Sequence, residues 1–445
     1  MKRVAAAIAL VAALTVTAGF AAASPTQDGK RAAVTPLTVW VGWSAGTELI
    51  SFKKLIAEYS KAHKDVSIKV VGGINDDKII AALRAGNAPD VVSSFQSNNV
   101  GVYCPSGGWI DLGPYLKRDH VDVNQFPAGP RYYTAYKGIR CALPLLADTY
   151  GLYYNKTLFT QAGIKAPPKT FSELVADAKK LTKKNSDGTY KVLGYDPDAL
   201  FYHGGAGIGT YGPLIGATYF DKAGKSNLAR DPGWSRLLTW QKSLIDFYGY
   251  KNLVKWQTGA GDEFAASHPF ENGKLAMMLD GEWRVSFIKH EHPNLNYATA
   301  PMPVDDAHPD LYGSGYVNGT IIGMPKTGKH RDQAWELVKW LTTDDHALAQ
   351  FSNDIRNVPS TASSSKSPEL IPDARFKTFL TIFNNPHSTT VPITPIGLDH
   401  LQTVSDFVAK WYAGNVKDLK SGLQDVDKAI DAKMKQAGKG GGNVP

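Results

Sequence analysis

The sequence predicts an α/β fold, and three observations support this class. Predicted strands and helices alternate along the chain, as they do when parallel strands are joined by helical crossovers. The 445 residues suffice for two to three domains or two large lobes. Beyond the first 16 residues, no stretch is apolar for the roughly 20 residues that a membrane span needs, so we expect a soluble mature chain.

The first part of the chain predicts three strands separated by two helices. Residues 37–41 (LTVWV) and 66–71 are rich in β-branched residues and predict strands. Between them, apolar residues recur at spacings of three and four, which places them on one side of a helix: Leu49, Phe52, Leu55, Ile56 and Tyr59. Residues 79–83 predict a second helix and residues 89–92 open a third strand. This order predicts right-handed crossovers and a parallel sheet.

The same alternation continues towards the C-terminus. Residues 151–155 and 275–279 predict strands, and residues 331–341 predict a helix. Thr170 and Glu173 form a capping box at the start of another helix. Gly/Pro-rich breaks lie at 203–213 and 301–328, and the Gly-rich tail at 438–445 is predicted to be disordered.

The N-terminus has the pattern of a secretory signal peptide. Lys2 and Arg3 precede an apolar run at residues 4–16, and three alanines end at Ala23, where we expect cleavage. A bacterial lipoprotein has a cysteine after its apolar run, whereas this chain has Phe20. We therefore expect export to the periplasm, the extracellular space or the cell surface, without a lipidated cysteine.

Charge and cysteine content narrow the function further. The net charge of +8 falls to +6 without Lys2 and Arg3, and the basic residues are dispersed. Nucleic-acid binding requires a concentrated basic stripe, so we expect no nucleic-acid partner. Cys104 and Cys141 are the two cysteines, and in an oxidising compartment they form either one disulfide or two buried free thiols.

Three short motifs resemble catalytic or cofactor signatures. Residues 42–46 match G-x-S-x-G with Ser44 as nucleophile, but a hydrolase elbow normally follows several earlier strands. Residues 207–212 match G-x-G-x-x-G without a clear strand before them, which favours a glycine-rich loop near a binding cleft. The sequence HEH at 290–292 lacks metal-ligand spacing. We expect no enzyme activity, no cofactor and no metal.

Several longer segments together carry a family resemblance. They are RAGNAPDVV at 84–92, IDLGPYL at 110–116, ALP at 142–144, DTYGLYYNK at 148–156, PPKTFSE at 167–173, FENGKLAMM at 270–278 and GEW at 281–283. In order and spacing they resemble the extracellular solute-binding proteins (family 1) of sugar ABC importers, the maltose-binding-protein-like group. The resemblance covers about residues 37–415.

This resemblance implies a two-lobed periplasmic-binding-protein fold with a ligand cleft between lobes joined by hinge segments. It places lobe 1 at 36–145 and 297–345, and lobe 2 at 146–296 and 346–437. The implied function is capture of a mono- or oligosaccharide by hinge closure and delivery to an ABC-type importer. The implied partners are the sugar and the permease subunits of the importer, and we expect a monomer.

The resemblance also implies ligand-binding positions. Trp283 would stack on a sugar ring, and the carboxylate of Asp148 would accept two hydroxyl donors. The full set is Trp43, Ser44, Ser94, Gln96, Asn98, Asp148, Tyr211, Trp283, Gly315, Tyr316 and Arg356. The stacking tryptophan of the maltose-binding relative falls at Ser94, and its charged pair falls at Ser97 and Asn98, which predicts a ligand other than maltose.

Two alternatives stay open at this point. A binding protein of the same kind could take a polyamine, iron or an organophosphate instead of a sugar. An exported serine hydrolase that uses Ser44 is the second alternative.

Overall fold

The computed structural model describes residues 34–44, 46–198, 207–260 and 267–437. The predicted signal peptide at 1–23 and the tail at 438–445 lie outside these residues. The described strands are β1 (Thr35–Trp40), β2 (Val66–Val71), β3 (Val91–Ser94), β4 (Ala142–Pro144), β5 (Leu146–Asn155), β6 (Lys183–Lys184), β7 (Tyr190–Tyr195), β8 (Leu275–Gly281), β9 (Tyr297–Ala300), β10 (Val317–Asn318), β11 (Ile321–Gly323) and β12 (Val358–Pro359).

Helices outnumber strands in the same part of the chain. They are α1 (Gly46–Ala62), α2 (Asp76–Ala85), α3 (Val100–Tyr103), α4 (Gly113–Arg118), α5 (Ala128–Tyr133), α6 (Lys156–Gln161), α7 (Phe171–Leu181), α8 (Ile208–Tyr211), α9 (Pro232–Tyr248), α10 (Tyr250–Thr258), α11 (Arg284–Glu291), α12 (Arg331–Thr343), α13 (Asp345–Ile355), α14 (Ala374–Phe383), α15 (Asp399–Tyr412) and α16 (Leu419–Gln436). No helix among the described residues combines the length and the apolar character that crossing a bilayer requires.

The first sheet has the strand order β2-β1-β3-β11-β4. β1 is parallel to β2 and β3, as the alternating strands and helices predicted. β11 is antiparallel to both of its neighbours, so the sheet is mixed rather than wholly parallel. The reason is that β11 does not follow a helical crossover within this lobe. It enters the sheet directly from the other lobe.

The second sheet is built around the ten-residue strand β5. Its order is β10-β5-β8-β7-β6, and β9 and β12 also pair with β5. Every residue of β8 is buried, as expected for a strand covered on both sides. Helices α7 and α14 pack on this sheet. The predicted helix after the capping box is confirmed, and the Thr170 side chain accepts a hydrogen bond from the Glu173 N–H.

The chain passes between the two sheets three times, through very short connections. Leu145 alone separates β4 from β5, and residues 319–320 separate β10 from β11. The third connection, residues 356–357, leads from α13 to β12. A side chain at Gly319 would place its Cβ 2.2 Å from the Leu146 carbonyl oxygen, so the first two connections approach too closely for any residue but glycine.

The strand pairing differs from the predicted lobe boundaries at two places. The chain was predicted to return to lobe 1 at residue 297, but β9 pairs with residues 152–155 of β5 in the second sheet. The return occurs at β11. Residues 346–355 were assigned to lobe 2, yet α13 packs against α1, which flanks the first sheet. Both differences arise because the second and third connections lie later in the chain than the family resemblance implied.

A disulfide joins Cys104 to Cys141 across 37 residues of chain. Cys104 follows the short helix α3, and Cys141 directly precedes β4. Both sulfurs belong to buried residues, and the stacked rings of Tyr103 and Trp109 lie beside them with centroids 4.6 Å apart. The bridge therefore ties the loop that follows β3 to the strand that leads into the first connection.

Candidate ligand site at the lobe connections

Two carboxylates and one amide meet where the connections cross. The Asn357 side-chain Nδ2 donates to Asp148 Oδ1 at 2.7 Å and to Glu282 Oε1 at 3.1 Å. Asp148 lies on β5 three residues after Leu145, Glu282 follows β8, and Asn357 precedes β12. We call these three residues the crossing cluster. One amide thus links three segments of the second lobe at the point where the chain leaves and re-enters it.

Glu282 is fully buried, and its second oxygen is bound by the backbone. The Thr149 N–H donates to Glu282 Oε2 at 2.9 Å. Burial, and then the nearby charge of Asp148, raise the pKa of Glu282 well above its usual range. The two carboxylates therefore disfavour being charged together. Hydrogen-bond donors of a ligand would stabilise their charged forms.

A third carboxylate approaches the crossing cluster from the other lobe. Glu48 lies in the first turn of α1, and burial followed by the charge of Asp148 raises its pKa to about 7. Burial also raises the pKa of Asp148 to about 6, while the hydrogen bond from Asn357 lowers it. Glu48 on α1 and Asp148 on β5 thus belong to different lobes and disfavour being charged together.

Several buried polar atoms around these carboxylates have no hydrogen-bond partner among the described residues. They are the Tyr133 hydroxyl, Asn98 Nδ2, Trp283 Nε1 and Asn357 Oδ1. Tyr133 is fully buried, and its pKa is raised by burial and then by the charge of Asp148. Buried polar groups normally have partners, so unpartnered atoms of this kind indicate a place that water or a ligand occupies.

Three aromatic rings border the same cluster. The ring centroids of Tyr150 and Trp283 are 5.6 Å apart with planes at 90°, and those of Tyr150 and Tyr316 are 5.5 Å apart at 35°. Each of these residues is 8–9% exposed. Aromatic rings beside hydrogen-bonding groups suit a ligand that has both apolar faces and hydroxyl edges.

The loop that follows β3 brings first-lobe residues towards the crossing cluster. The Ser97 hydroxyl donates to the Asn318 side chain, and Asn318 is paired with Asp148 in the β-ladder. The hydroxyl of Ser94 donates to Asp76 Oδ1 at 2.6 Å and accepts from the Gln96 N–H. Ser94 and Gln96 therefore shape this loop, while Asn98 is buried beside the connection with its Nδ2 unpartnered.

Other predicted site residues lie elsewhere. The Trp43 ring packs among Phe52, Phe95 and Phe351 in the core of the first lobe, and Ser44 beside it is exposed. The Tyr211 hydroxyl is 2.8 Å from that of Tyr195 in the interior of the second lobe.

Arg356 and Gly315 form hydrogen bonds with backbone and side-chain atoms outside the crossing cluster. The Arg356 guanidinium donates to the Ile371 carbonyl at 3.0 Å and lies over the Phe376 ring. Arg356 also has a positive φ of 61° at the end of α13. The Gly315 N–H donates to Ser388 Oγ at 3.1 Å and adjoins Tyr316, which does border the cluster.

Sequence reasoning missed Glu48, Tyr133, Tyr150, Glu282 and Asn357. Glu282 and Asn357 are each adjacent in sequence to a residue that was named, Trp283 and Arg356. The GEW segment at 281–283 and the residues before β12 therefore indicate the right part of the chain for these two residues. What the sequence lacks is the direction in which each neighbouring side chain points.

The motifs with catalytic appearance remain apart from the cluster. Among the described residues, no hydrogen bond connects the Ser44 hydroxyl to a histidine. In the HEH segment, His292 Nε2 is 3.8 Å from Glu271 Oε2, and ligand atoms of Glu271, Glu291 and His292 fall within 4.8 Å of one another. The other Glu271 oxygen pairs with Arg284 at 3.1 Å, so this group includes a buried ion pair.

A separate groove of about 230 Å³ lies beside the second connection. Its lining comprises Asn124, residues 127–130, Val317, Ala362, residues 383–386 and Ser388. Its lining contains none of the three carboxylates. The groove is therefore distinct from the crossing cluster, although both lie between the lobes.

Together, the two lobes, the three short connections and the polar cluster between them define a hinged ligand-binding protein. The chain belongs to the family described as bacterial extracellular solute-binding protein, whose sequence pattern matches residues 45–347. Among curated relatives, it is 25% identical over 326 residues to the maltotriose-binding protein of Pyrococcus abyssi, covering 73% of this chain and 66%, just under two thirds, of that protein. It is 23% identical over 388 residues to the mannitol-binding protein of Pseudomonas aeruginosa, covering 84% and 85%.

Solved structures match the fold more completely. CpMnBP1 with mannotriose bound is 29% identical, with a TM-score of 0.77 over 88% of this chain and 99% of that one. The GacH receptor of Streptomyces glaucescens, solved unliganded and with acarbose, is 20% identical with a TM-score of 0.71 over 90% and 98%. The second likeness shows the shared fold alone.

Proposed function

We propose that this protein captures a sugar, mono- or oligosaccharide, at the crossing cluster between its lobes. The observation that carries the proposal is the meeting of Asp148, Glu282 and Asn357 with unpartnered polar atoms and three aromatic rings. Sugars have many hydroxyl donors along their edges and apolar ring faces, and this arrangement offers acceptors and rings for both. The bound sugar would contact Asp148 and Trp283 directly.

The relatives support a sugar rather than another solute. They include binding proteins for maltotriose and mannitol and a protein solved with mannotriose bound. We propose that the protein acts as an exported monomer, delivers its ligand to the permease subunits of an ABC-type importer, and catalyses no reaction. Its family of extracellular solute-binding proteins supports this role.

The experiment is a thermal-shift screen with manno- and malto-oligosaccharides and with their monosaccharides. A ligand at 100 times its dissociation constant stabilises the folded state by about 2.7 kcal/mol, which is a shift of several degrees in melting temperature. The sugar should be recovered unchanged after incubation. Lack of any shift across sugars, together with a shift for a polyamine or a phosphate ester, would redirect the assignment to another solute.

Asp148→Asn tests the location of the site. The amide keeps the shape of the carboxylate but removes a charged acceptor, whose hydrogen bonds contribute about 1.5–3 kcal/mol. We expect the affinity for the sugar to fall by about 10- to 100-fold. Asp425→Asn is the matched control, because Asp425 is exposed on α16, and it should leave the affinity unchanged. Equal affinities for the two variants would move the site away from β5.

A further inference from the structure

Three carboxylates of the cleft come from three separate segments and both lobes. Glu48 is on α1, Asp148 on β5 and Glu282 after β8. The Asn357 amide nitrogen donates to both Asp148 and Glu282, and the charge of Asp148 also raises the pKa of Glu48. The group is therefore one electrostatic unit rather than three independent surface acids.

No cation balances this unit within the part of the chain that the structure describes. The ion pairs among those residues involve other acids, and none includes Glu48, Asp148 or Glu282. Arg356, the residue before Asn357, points its guanidinium to the Ile371 carbonyl instead. The polar partner that Asp148 does have is the neutral amide of Asn357.

Independent polar atoms show that something other than these acids completes the site. The Tyr133 hydroxyl is fully buried without a partner among the described residues, and the charge of Asp148 acts on it. Asn357 Oδ1 is likewise unpartnered, while its Nδ2 serves both acids. Oδ1 is an acceptor and requires a donor that the described residues do not supply.

We propose that the cleft selects its sugar by charge: it accepts sugars that are uncharged or carry an ammonium group and rejects sugars that carry a carboxylate or a phosphate. This inference rests on the proposed function of sugar capture. An anionic ligand would place a further negative charge beside this group of acids, which has no cation to offset it. A hydroxyl or ammonium group instead donates to Asn357 Oδ1 and to the carboxylates.

Glu48 acts here as a specificity-determining residue from the opposite lobe. On closure, Glu48 and Asp148 face the same ligand from two sides, so an anion trapped between the lobes meets both charges. Removing either charge by the isosteric amide should weaken the discrimination without enlarging the space. The readout that separates this role from a structural one is the affinity ratio between matched ligands of different charge.

The experiment uses calorimetric titration of the full mature protein with matched triples of probes at about pH 7.5, above the folded pKa values of Glu48 and Asp148. Each triple is a hexose, its 2-amino form and its uronic acid: mannose, mannosamine and mannuronate, then the glucose and galactose series, with their β-linked and α-linked dimers. For the sugar that binds, we expect the uronic acid to bind at least tenfold more weakly and the amino form at least as tightly.

Two variants and one control complete the test. Glu48→Gln and Asp148→Asn should each bring the uronic acid closer to the neutral sugar in affinity by several-fold. Glu58→Gln removes the same charge later on α1 and should leave the ratio unchanged. Asp148 is more buried than Glu48. If the Asp148→Asn variant fails to fold, the Glu48→Gln variant still tests the inference.

The outcomes distinguish this inference from the proposed function. A uronic acid that binds as tightly as its neutral partner would overturn charge selection while leaving sugar capture intact. A ratio that Glu58→Gln changes as much as Glu48→Gln would also overturn it. Absence of binding in all three charge classes would overturn sugar capture itself.

Discussion

Asn357 stands between two buried carboxylates that would otherwise face each other with no donor between them. Its amide nitrogen serves Asp148 and Glu282 at once, and the hydrogen bond lowers the pKa of Asp148 against the effect of burial. A single neutral side chain thus keeps Asp148 available as an acceptor near neutral pH. Residue 357 is also half of the third connection between the lobes.

Replacement of Asn357 by leucine should therefore have two separable effects. Loss of two hydrogen bonds to carboxylates costs about 2–4 kcal/mol in the free energy of unfolding, measured by urea denaturation. The pH midpoint of ligand affinity should also rise, because the pKa of Asp148 is no longer lowered. Asn252→Leu, on the exposed side of α10, should stay within about 0.5 kcal/mol of the wild type. An unchanged pH midpoint in Asn357→Leu would contradict this assignment.

The pH dependence of stability follows from Glu48 and Asp148. Their pKa values are raised to about 7 and about 6 in the folded state, so the folded protein binds their protons more tightly than the unfolded chain. Their contribution is most favourable below the ordinary carboxyl pKa and is lost as the pH rises through the folded values. The neighbouring groups are Glu282, Tyr133 and Tyr316. Their pKa values are also raised, so they do not reverse this dependence of stability on pH.

We expect the melting temperature without ligand to fall between about pH 5 and about pH 8. Glu48→Gln should flatten this decline, because it removes both its own titration and its repulsion of Asp148. Glu58→Gln should retain the wild-type slope. A melting temperature that rises over the same interval would show that other groups dominate the titration.

At the scale of residues, the sequence predicts which segments contribute to the site better than it predicts which side chains point into it. Asp148, Asn98, Trp283 and Tyr316 were named, and the structure brings them to the cluster or its border. Glu282 and Asn357 were not named, although they adjoin named residues. Trp283 stands in helical backbone at the start of α11, and Arg356 has a positive φ at the end of α13. These bends set the directions of the adjacent side chains, and the sequence of one chain does not show them.

At the scale of elements, the close crossing of the first two connections depends on Gly319. A Cβ at this position would lie 2.2 Å from the Leu146 carbonyl oxygen and 2.5 Å from the Tyr133 hydroxyl. Backbone cannot yield as the end of a side chain can, so the two connections would have to separate. The separation would displace β5 and with it Asp148.

Gly319→Ala should consequently lower the free energy of unfolding by about 1–3 kcal/mol and weaken ligand binding as well. The measurements are urea denaturation and calorimetric titration. Gly259→Ala is the control, since a Cβ there would meet its nearest neighbour at an ordinary 3.7 Å. Wild-type affinity in Gly319→Ala would show that the spacing of the connections does not position the site.

The disulfide gives a further prediction for the elements around β4. It closes 37 residues of chain, and a loop of this size stabilises the folded state by about 2–4 kcal/mol, chiefly through the unfolded chain. The Cys104→Ala/Cys141→Ala double variant should lose about that amount in urea denaturation. The wild type should lose a similar amount in reductant, and the double variant should not respond to reductant at all.

Element prediction succeeded where periodicity was long and failed where strands were short. The helices and strands predicted at 49–59, 66–71, 275–279 and 331–341 are confirmed. β10, β11 and β12 have two or three residues each, too few to show alternation, and β10 and β11 lie in the break at 301–328 that is rich in glycine and proline. These short strands carry the connections, which is why the predicted lobe boundaries differ from the observed pairing.

For the whole molecule, the two sheets are joined by connections of one or two residues, so we expect closure to be a rotation of the lobes about these connections. We expect the radius of gyration from small-angle X-ray scattering to decrease when the sugar binds. Asp148→Asn at the same sugar concentration should show a smaller decrease, because fewer molecules are occupied. A constant radius at saturation would mean that the lobes are already closed without ligand.

The brevity of Leu145 and of residues 319–320 has a consequence for affinity. Two halves of a binding surface held by so little chain are always near each other, so their effective concentration is high. Little conformational entropy is then lost when the ligand brings them together. A longer connector, such as a flexible Gly-Ser insertion after Leu145, should lower this effective concentration and weaken binding.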